Sequence, residues 1–96
     1  MPSAYIIANV TVNDPEAYEE YKRLSSIAMQ TCGAEVCIRG GKIEVLEGDW
    51  TPSRVVLLKF KDAVQAKTFY NSTEYAAAIK VRKDISVMRM VLIEGV

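Results

Sequence analysis

Three segments of this chain are apolar on both faces of a strand, and that limits what the chain can fold into. Residues 4–12 (Ala-Tyr-Ile-Ile-Ala-Asn-Val-Thr-Val), 53–61 (Ser-Arg-Val-Val-Leu-Leu-Lys-Phe-Lys) and 86–94 (Ser-Val-Met-Arg-Met-Val-Leu-Ile-Glu) are β-branched and apolar, as strands are. Successive strand residues point to opposite faces. One set (Ile6, Ala8, Val10, Val56, Leu58, Phe60, Met88, Met90, Leu92) is wholly apolar and suits a face packed under helices. The other (Tyr5, Ile7, Val55, Leu57, Val87, Val91, Ile93) is interrupted by Asn9, Lys59 and Arg89. A sheet with helices on one side would leave this second set in water. Monomers rarely expose apolar patches beyond a few hundred Å². Burying even four such side chains contributes on the order of 6–12 kcal/mol before association costs. The expectation is a homodimer joined through the open sheet face. Asn9, Lys59 and Arg89 then either face the interior between the sheets, or lie near its ends and stay wet or pair with Glu35 or Glu94.

Helices fall between these segments. Asp14 is a good N-cap with Pro15 at the first helical position. Ala17, Tyr21, Leu24 and Ala28 follow at helical spacing, and Gly33 is placed to end the helix as a left-handed cap. Asp62 with Gln65 forms a capping box for a helix over 63–70. Asn71 breaks it and Ser72 caps another over 73–83. Residues 34–48 read as strand interrupted by Gly40-Gly41. A hairpin there would reverse the following strand, so a bulge or kink is preferred, with an extra edge hairpin left open. The order is strand, helix, strand, strand, helix pair, strand. This is an α+β, ferredoxin-like βαββαβ sandwich with an antiparallel sheet, expected as a single domain over 1–96.

Composition narrows the function classes. Twelve basic residues balance twelve acidic ones, without a basic tract, which argues against nucleic acid. Apolar runs are far shorter than the roughly 20 residues a membrane helix needs. The start of the chain does not read as a signal peptide, so the expected location is cytoplasmic. Cys32 and Cys37 match no zinc or redox spacing, and histidine is absent. Free thiols, no metal site and no cofactor are expected.

The stretch from Arg39 to Arg54 concentrates recognition-type side chains beside glycines. Arg39 and Arg54 offer planar forks of donors for an anionic group. Trp50 supplies a flat apolar wall, and Glu47 is the candidate proton acceptor. The competing reading is a turn braced by an Arg–Glu pair. Tyr18, Tyr75 and Arg82 are further ligand-binding candidates near helix ends, whereas Tyr21 and Tyr70 read as core.

Together these residues resemble the domain-of-unknown-function 1330 family, within the dimeric α+β barrel group that includes small antibiotic-biosynthesis-type monooxygenases. The matching pieces are Asp14-Pro15-Glu16-Ala17-Tyr18 with Tyr21, Gly33, Arg39-Gly40-Gly41, Glu47-Gly48-Asp49-Trp50 and Arg54. Phe60, Tyr70-Asn71-Ser72 with Tyr75, Arg82 and Ile93-Glu94-Gly95 complete the pattern. The chain departs from it at Gly33-Ala34, where two glycines are usual. The resemblance implies a ferredoxin-like subunit that dimerises through its sheet and implies no activity. The function expected is binding of a small anionic or aromatic molecule, with a cofactor-independent enzyme, monooxygenase-like or isomerase-like, as its sharper form. The alternative is a non-catalytic dimeric binding or structural module, in which Arg39, Glu47 and Arg54 satisfy one another.

Overall fold

The computed structural model describes residues 2–96. Its elements are β1 (Ala4–Val12), α1 (Pro15–Thr31), β2 (Glu35–Arg39), β3 (Val55–Phe60), α2 (Ala63–Tyr70), α3 (Thr73–Arg82) and β4 (Ser86–Glu94). The four strands form one antiparallel sheet in the order β2-β3-β1-β4. This is the ferredoxin-like topology expected from the order of the segments.

Local chemistry sets the helix boundaries. Asp14 accepts from Ala17 N at 3.1 Å, ahead of Pro15 in the first turn. Asp62 accepts from Gln65 N at 2.8 Å and Ser72 from Tyr75 N at 3.1 Å. Gln65 completes its capping box differently from the expectation: its Oε1 accepts from Lys61 N at 2.8 Å, one residue before the cap. Its Nε2 donates to Cys32 O at 3.0 Å, which ties the start of α2 to the end of α1. Gly33 follows with φ of 72°, and a Cβ there would lie 2.8 Å from the Gln65 amide nitrogen.

The helix-facing strand residues make the core. Ala4, Ile6, Val10, Leu58 and Phe60 pack with Ala28, Met29, Ala66, Phe69 and Ala78, all buried. An aromatic chain runs through it: Phe60 to Phe69 at 5.4 Å between ring centroids, and Phe69 to Tyr75 at 4.6 Å. The opposite sheet face stays open. Val87, Val91, Ile93 and Ile38 are 58, 54, 48 and 43% exposed. Lys59 lies opposite Glu35 in register. The ion pairs found among the described residues are Lys22–Glu19 and Arg23–Glu20, both on α1.

Residues 34–48 correct the expectation of one long strand. Strand β2 stops at Arg39, and residues 41–46 have no regular structure. The irregularity lies earlier than Gly40-Gly41. Val36 pairs with Leu58 and Ile38 with Leu57, so Cys37 is an extra, bulged residue. Gly40 ends the strand with φ of 73°, its N–H donating to Val55 O at 3.0 Å. The chain then leaves the sheet as a 40–54 loop closed at its base. Lys42 to Val45 alternate polar and apolar as a strand does, but within this protomer no strand lies alongside to pair with them.

Candidate functional site

Between α1, α3 and the sheet lies a small cavity of about 30 Å³, room for about two waters. Its floor is apolar, with Ile6, Leu58, Phe69 and the methionines Met29, Met88 and Met90. Its polar groups are Tyr18, Tyr21, Lys22 and Ser25 of α1, Tyr75 of α3, and Arg39 and Arg54 from the two roots of the 40–54 loop.

Each polar group arrives for a traceable reason. Tyr18 and Tyr21 are three apart on α1 and so share a face, with ring centroids 4.9 Å apart. The Ser72 cap starts α3 and sets Tyr75 in its first turn, where its hydroxyl meets that of Tyr21 at 2.8 Å. The bulge at Cys37 re-aims β2. With it, Arg39 falls opposite Val56 on the helix side; regular pairing would have turned Arg39 to the open face. The Arg39 Nη2 donates to Ser26 Oγ at 2.8 Å and to Lys22 O at 3.3 Å. Arg54 lies across Gly40, where the guanidinium occupies the space a Cβ would fill. Arg82 of α3 sits over the Tyr21 ring, 5.8 Å from its centroid, a cation–π contact.

The electrostatics are one-sided. No carboxylate lines the cavity, and none pairs with Arg39, Arg54 or Arg82 within 4.0 Å among the described residues. The Nε atoms of Arg54 and Arg82 are buried without a hydrogen-bond partner. Burial pushes the Tyr18 hydroxyl above its ordinary value, opposed by the positive charges of Arg54, Arg82 and Arg39. Burial pushes Tyr21 up further, helped by its Tyr75 neighbour. Both phenols are therefore neutral hydrogen-bond donors at physiological pH.

A second, open depression of about 210 Å³ shares Tyr18, Lys22 and Arg54 with the cavity and adds Val12, Pro15 and Glu19. Arg54 therefore borders both spaces, and the open one is called the antechamber below.

The candidates from the sequence thus divide. Tyr18, Arg39, Arg54 and Tyr75 are brought together, with Arg82 behind Tyr21. Glu47 and Trp50 are not among them. Both lie on the exposed body of the loop, Trp50 being 65% exposed, in shallow depressions away from the cavity. Tyr21 and Lys22 join the site although the sequence reading left them out. Tyr21 lies on the same helix face as Tyr18, which was the available signal. The described residues contain no cluster of three or more His, Cys, Asp or Glu able to hold a metal. Cys32 and Cys37 are free thiols. No helix among them is long and apolar enough to cross a membrane.

The family model for a domain of unknown function (DUF1330) matches residues 3–96. The chain belongs to this family. No curated protein matches it. Several solved structures share the DUF1330 chain's fold. One is a protein of unknown function from Rhodopseudomonas palustris, 19% identical, with a TM-score of 0.76 over 99% of this chain and 83% of that one. Another is SnoaB, a cofactor-independent oxygenase from Streptomyces nogalater, 11% identical, with a TM-score of 0.68 over 100% of this chain and 95% of that one. A third is a dimeric protein of unknown function and ferredoxin-like fold from Bacteroides fragilis, 14% identical, with a TM-score of 0.59 over 97% of this chain and 96% of that one. At these identities the likeness is one of fold.

Proposed function

We propose that this DUF1330 protein is a homodimer, joined through its open sheet faces, that binds a small organic anion in the Tyr18–Tyr21–Arg54 cavity. The observation that carries the binding reading is the set of arginines without carboxylates, two of them with a buried and unpartnered Nε. Arg54 is half-buried, charge taken out of water is costly unless paired, and an anionic ligand in the cavity would supply Arg54 with a partner; Arg82 does not line the cavity and would act only from behind Tyr21. The braced-turn alternative needs Glu47 to satisfy Arg39 and Arg54, and Glu47 stays on the exposed loop body.

The geometry favours a planar carboxylate or phenolate head within the cavity, against Arg54 and the neutral Tyr hydroxyls. An apolar or aromatic body would lie in the antechamber beside Tyr18 and Pro15, and the methionines are supple enough to widen the floor. Phenols and guanidinium groups stabilise negative charge already formed. Turnover that begins with proton abstraction would need a base from outside the lining, such as Glu47. An oxygenase-like reaction, the activity named for SnoaB, would need a substrate that enters as an electron-rich anion.

The test is titration calorimetry with a series of small aromatic and aliphatic carboxylates, on the wild type and on Arg54→Met. Binding by the wild type that weakens ten-fold or more in the variant supports the reading. Equal affinity in both proteins, or no binding across the series, removes it.

A further inference from the structure

The cavity gathers hydrogen-bond donors and positive charge, and it contains no base. Arg39 and Arg54 line it without a carboxylate, and neither forms an ion pair within 4.0 Å among the described residues. Three phenols join them: Tyr18, Tyr21 and Tyr75 are 3, 6 and 1% exposed. The Tyr21 and Tyr75 hydroxyls share one hydrogen bond. The hydroxyl that accepts in it keeps its own hydrogen, so the pair presents one donor, strengthened by the bond it receives. Arg39 is fixed before any ligand arrives, because its Nη2 donates to Ser26 Oγ and Lys22 O. Donors held in this way need no reorganisation when charge forms in front of them.

The surroundings raise the effect. Leu58, Phe69 and Met90 belong to an apolar floor, and charge interactions are stronger where water is excluded. A space of about 30 Å³ admits an oxygen head and little more. Lys22, the third cation of the lining, is paired with Glu19 at 3.5 Å, and Arg82 stands behind Tyr21.

We infer that the cavity takes a weak oxygen acid, a phenol or an enol that is neutral in solution, and holds it as its anion. The inference rests on the anion-binding reading above and narrows it. A carboxylate is ionised before it arrives, so the site changes only its affinity. A phenol or enol is not, and the guanidinium groups favour its charged form over the neutral one, as opposite charge within about 4–6 Å does for any acid. The ligand's O–H bond breaks, the electron pair stays on the oxygen and the proton passes to water, because the lining has no Asp, Glu or His to accept it. Burial holds Tyr18 and Tyr21 in their protonated form, so the charge stays on the ligand. Its conjugated body extends towards the antechamber that Arg54 also borders. The anion is richer in electrons than its parent acid at the carbons conjugated to the oxygen. Oxidation or isomerisation of such a ligand starts from that state.

Two probes test this. The anion of 4-nitrophenol absorbs visible light and its neutral form does not; 4-nitrobenzoate is ionised throughout. The phenol is titrated with pH, with and without saturating protein. The bound phenol is expected to ionise about one pH unit or more below the free phenol, equivalent to a ten-fold preference for the anion. Arg54→Met is expected to abolish the shift. Tyr18→Phe, which keeps its ring in the core, is the second variant and is expected to reduce the shift even where loss of Arg54 disturbs the fold. A bound phenol that ionises at the pH of the free one or above overturns the inference, as does a shift that both variants retain. Arg54-dependent binding of 4-nitrobenzoate, or of any carboxylate in the series above, without binding of the phenol overturns the inference alone. No binding by the phenol or by any carboxylate removes the inference and the anion-binding reading together.

Discussion

The Tyr21 and Tyr75 hydroxyls, 2.8 Å apart and buried, satisfy one another across two helices. Removing one partner leaves the other unsatisfied, at about 1–3 kcal/mol. Tyr21→Phe and Tyr75→Phe are each expected to cost that much in urea unfolding, while the double variant costs less than their sum. A double-mutant cycle measures the difference. The raised phenols give a second prediction. Unfolded tyrosine ionises near 10.0, and Tyr18 and Tyr21 ionise above that in the fold. The folded state then holds more protons than the unfolded state above pH 10, so stability is complete below that value and falls as pH rises past it. Ultraviolet titration should show two tyrosines resisting ionisation at pH 10 and titrating after unfolding; all five titrating normally would refute it. Residue type and helical spacing made Tyr18, Tyr75 and Arg82 legible as candidates. Tyr21 shares a helix face with Tyr18 but reads as core from the sequence, because the partner that brings its hydroxyl into the site is 54 positions away. Glu47 and Trp50 were grouped with Arg39 and Arg54 by closeness in sequence. In space the loop's roots converge on the cavity while its body leaves it.

Short-range chemistry decided the elements, and most of it could be read in advance. The caps Asp14, Asp62 and Ser72 start helices where expected, and strands β1 and β4 have the anticipated bounds. The segment 42–48 could not be read in the same way. Its alternation is a strand pattern, but a strand exists only where a neighbour completes its hydrogen bonds. Gly40 ends β2 for two reasons: its φ of 73° disfavours a side chain, and the Arg54 guanidinium fills the position of a Cβ. Gly40→Ala is expected to lose about 1–3 kcal/mol by denaturation and to weaken anion binding by displacing Arg54. Unchanged stability and affinity would contradict that. Gln65→Ala, which loses bonds to Lys61 N and Cys32 O, should cost a similar amount while leaving anion affinity intact.

At the scale of the whole molecule, the surface is larger than is usual for a monomer of this mass. It exposes 6367 Å², against roughly 5,500 Å² for a monomer of this mass. The excess is close to the roughly 800 Å² that one partner buries in a standard interface. The two-sided apolar strands of the sequence support the same proposed dimer; the geometry of its contact is a property of two chains and cannot be read from one. Val91→Asp should raise the dimer dissociation constant ten-fold or more in sedimentation, and an undisturbed dimer would rule out the open face as the interface. The bulge at Cys37 has a consequence for comparing relatives. Because Cys37 is surplus to the pairing, its deletion leaves Glu35, Val36, Ile38 and Arg39 alternating in their present phase. A homologue one residue shorter between Gly33 and its arginine would keep that arginine in the cavity. What an alignment shows there as a gap would be a difference in strand curvature rather than the loss of a binding group.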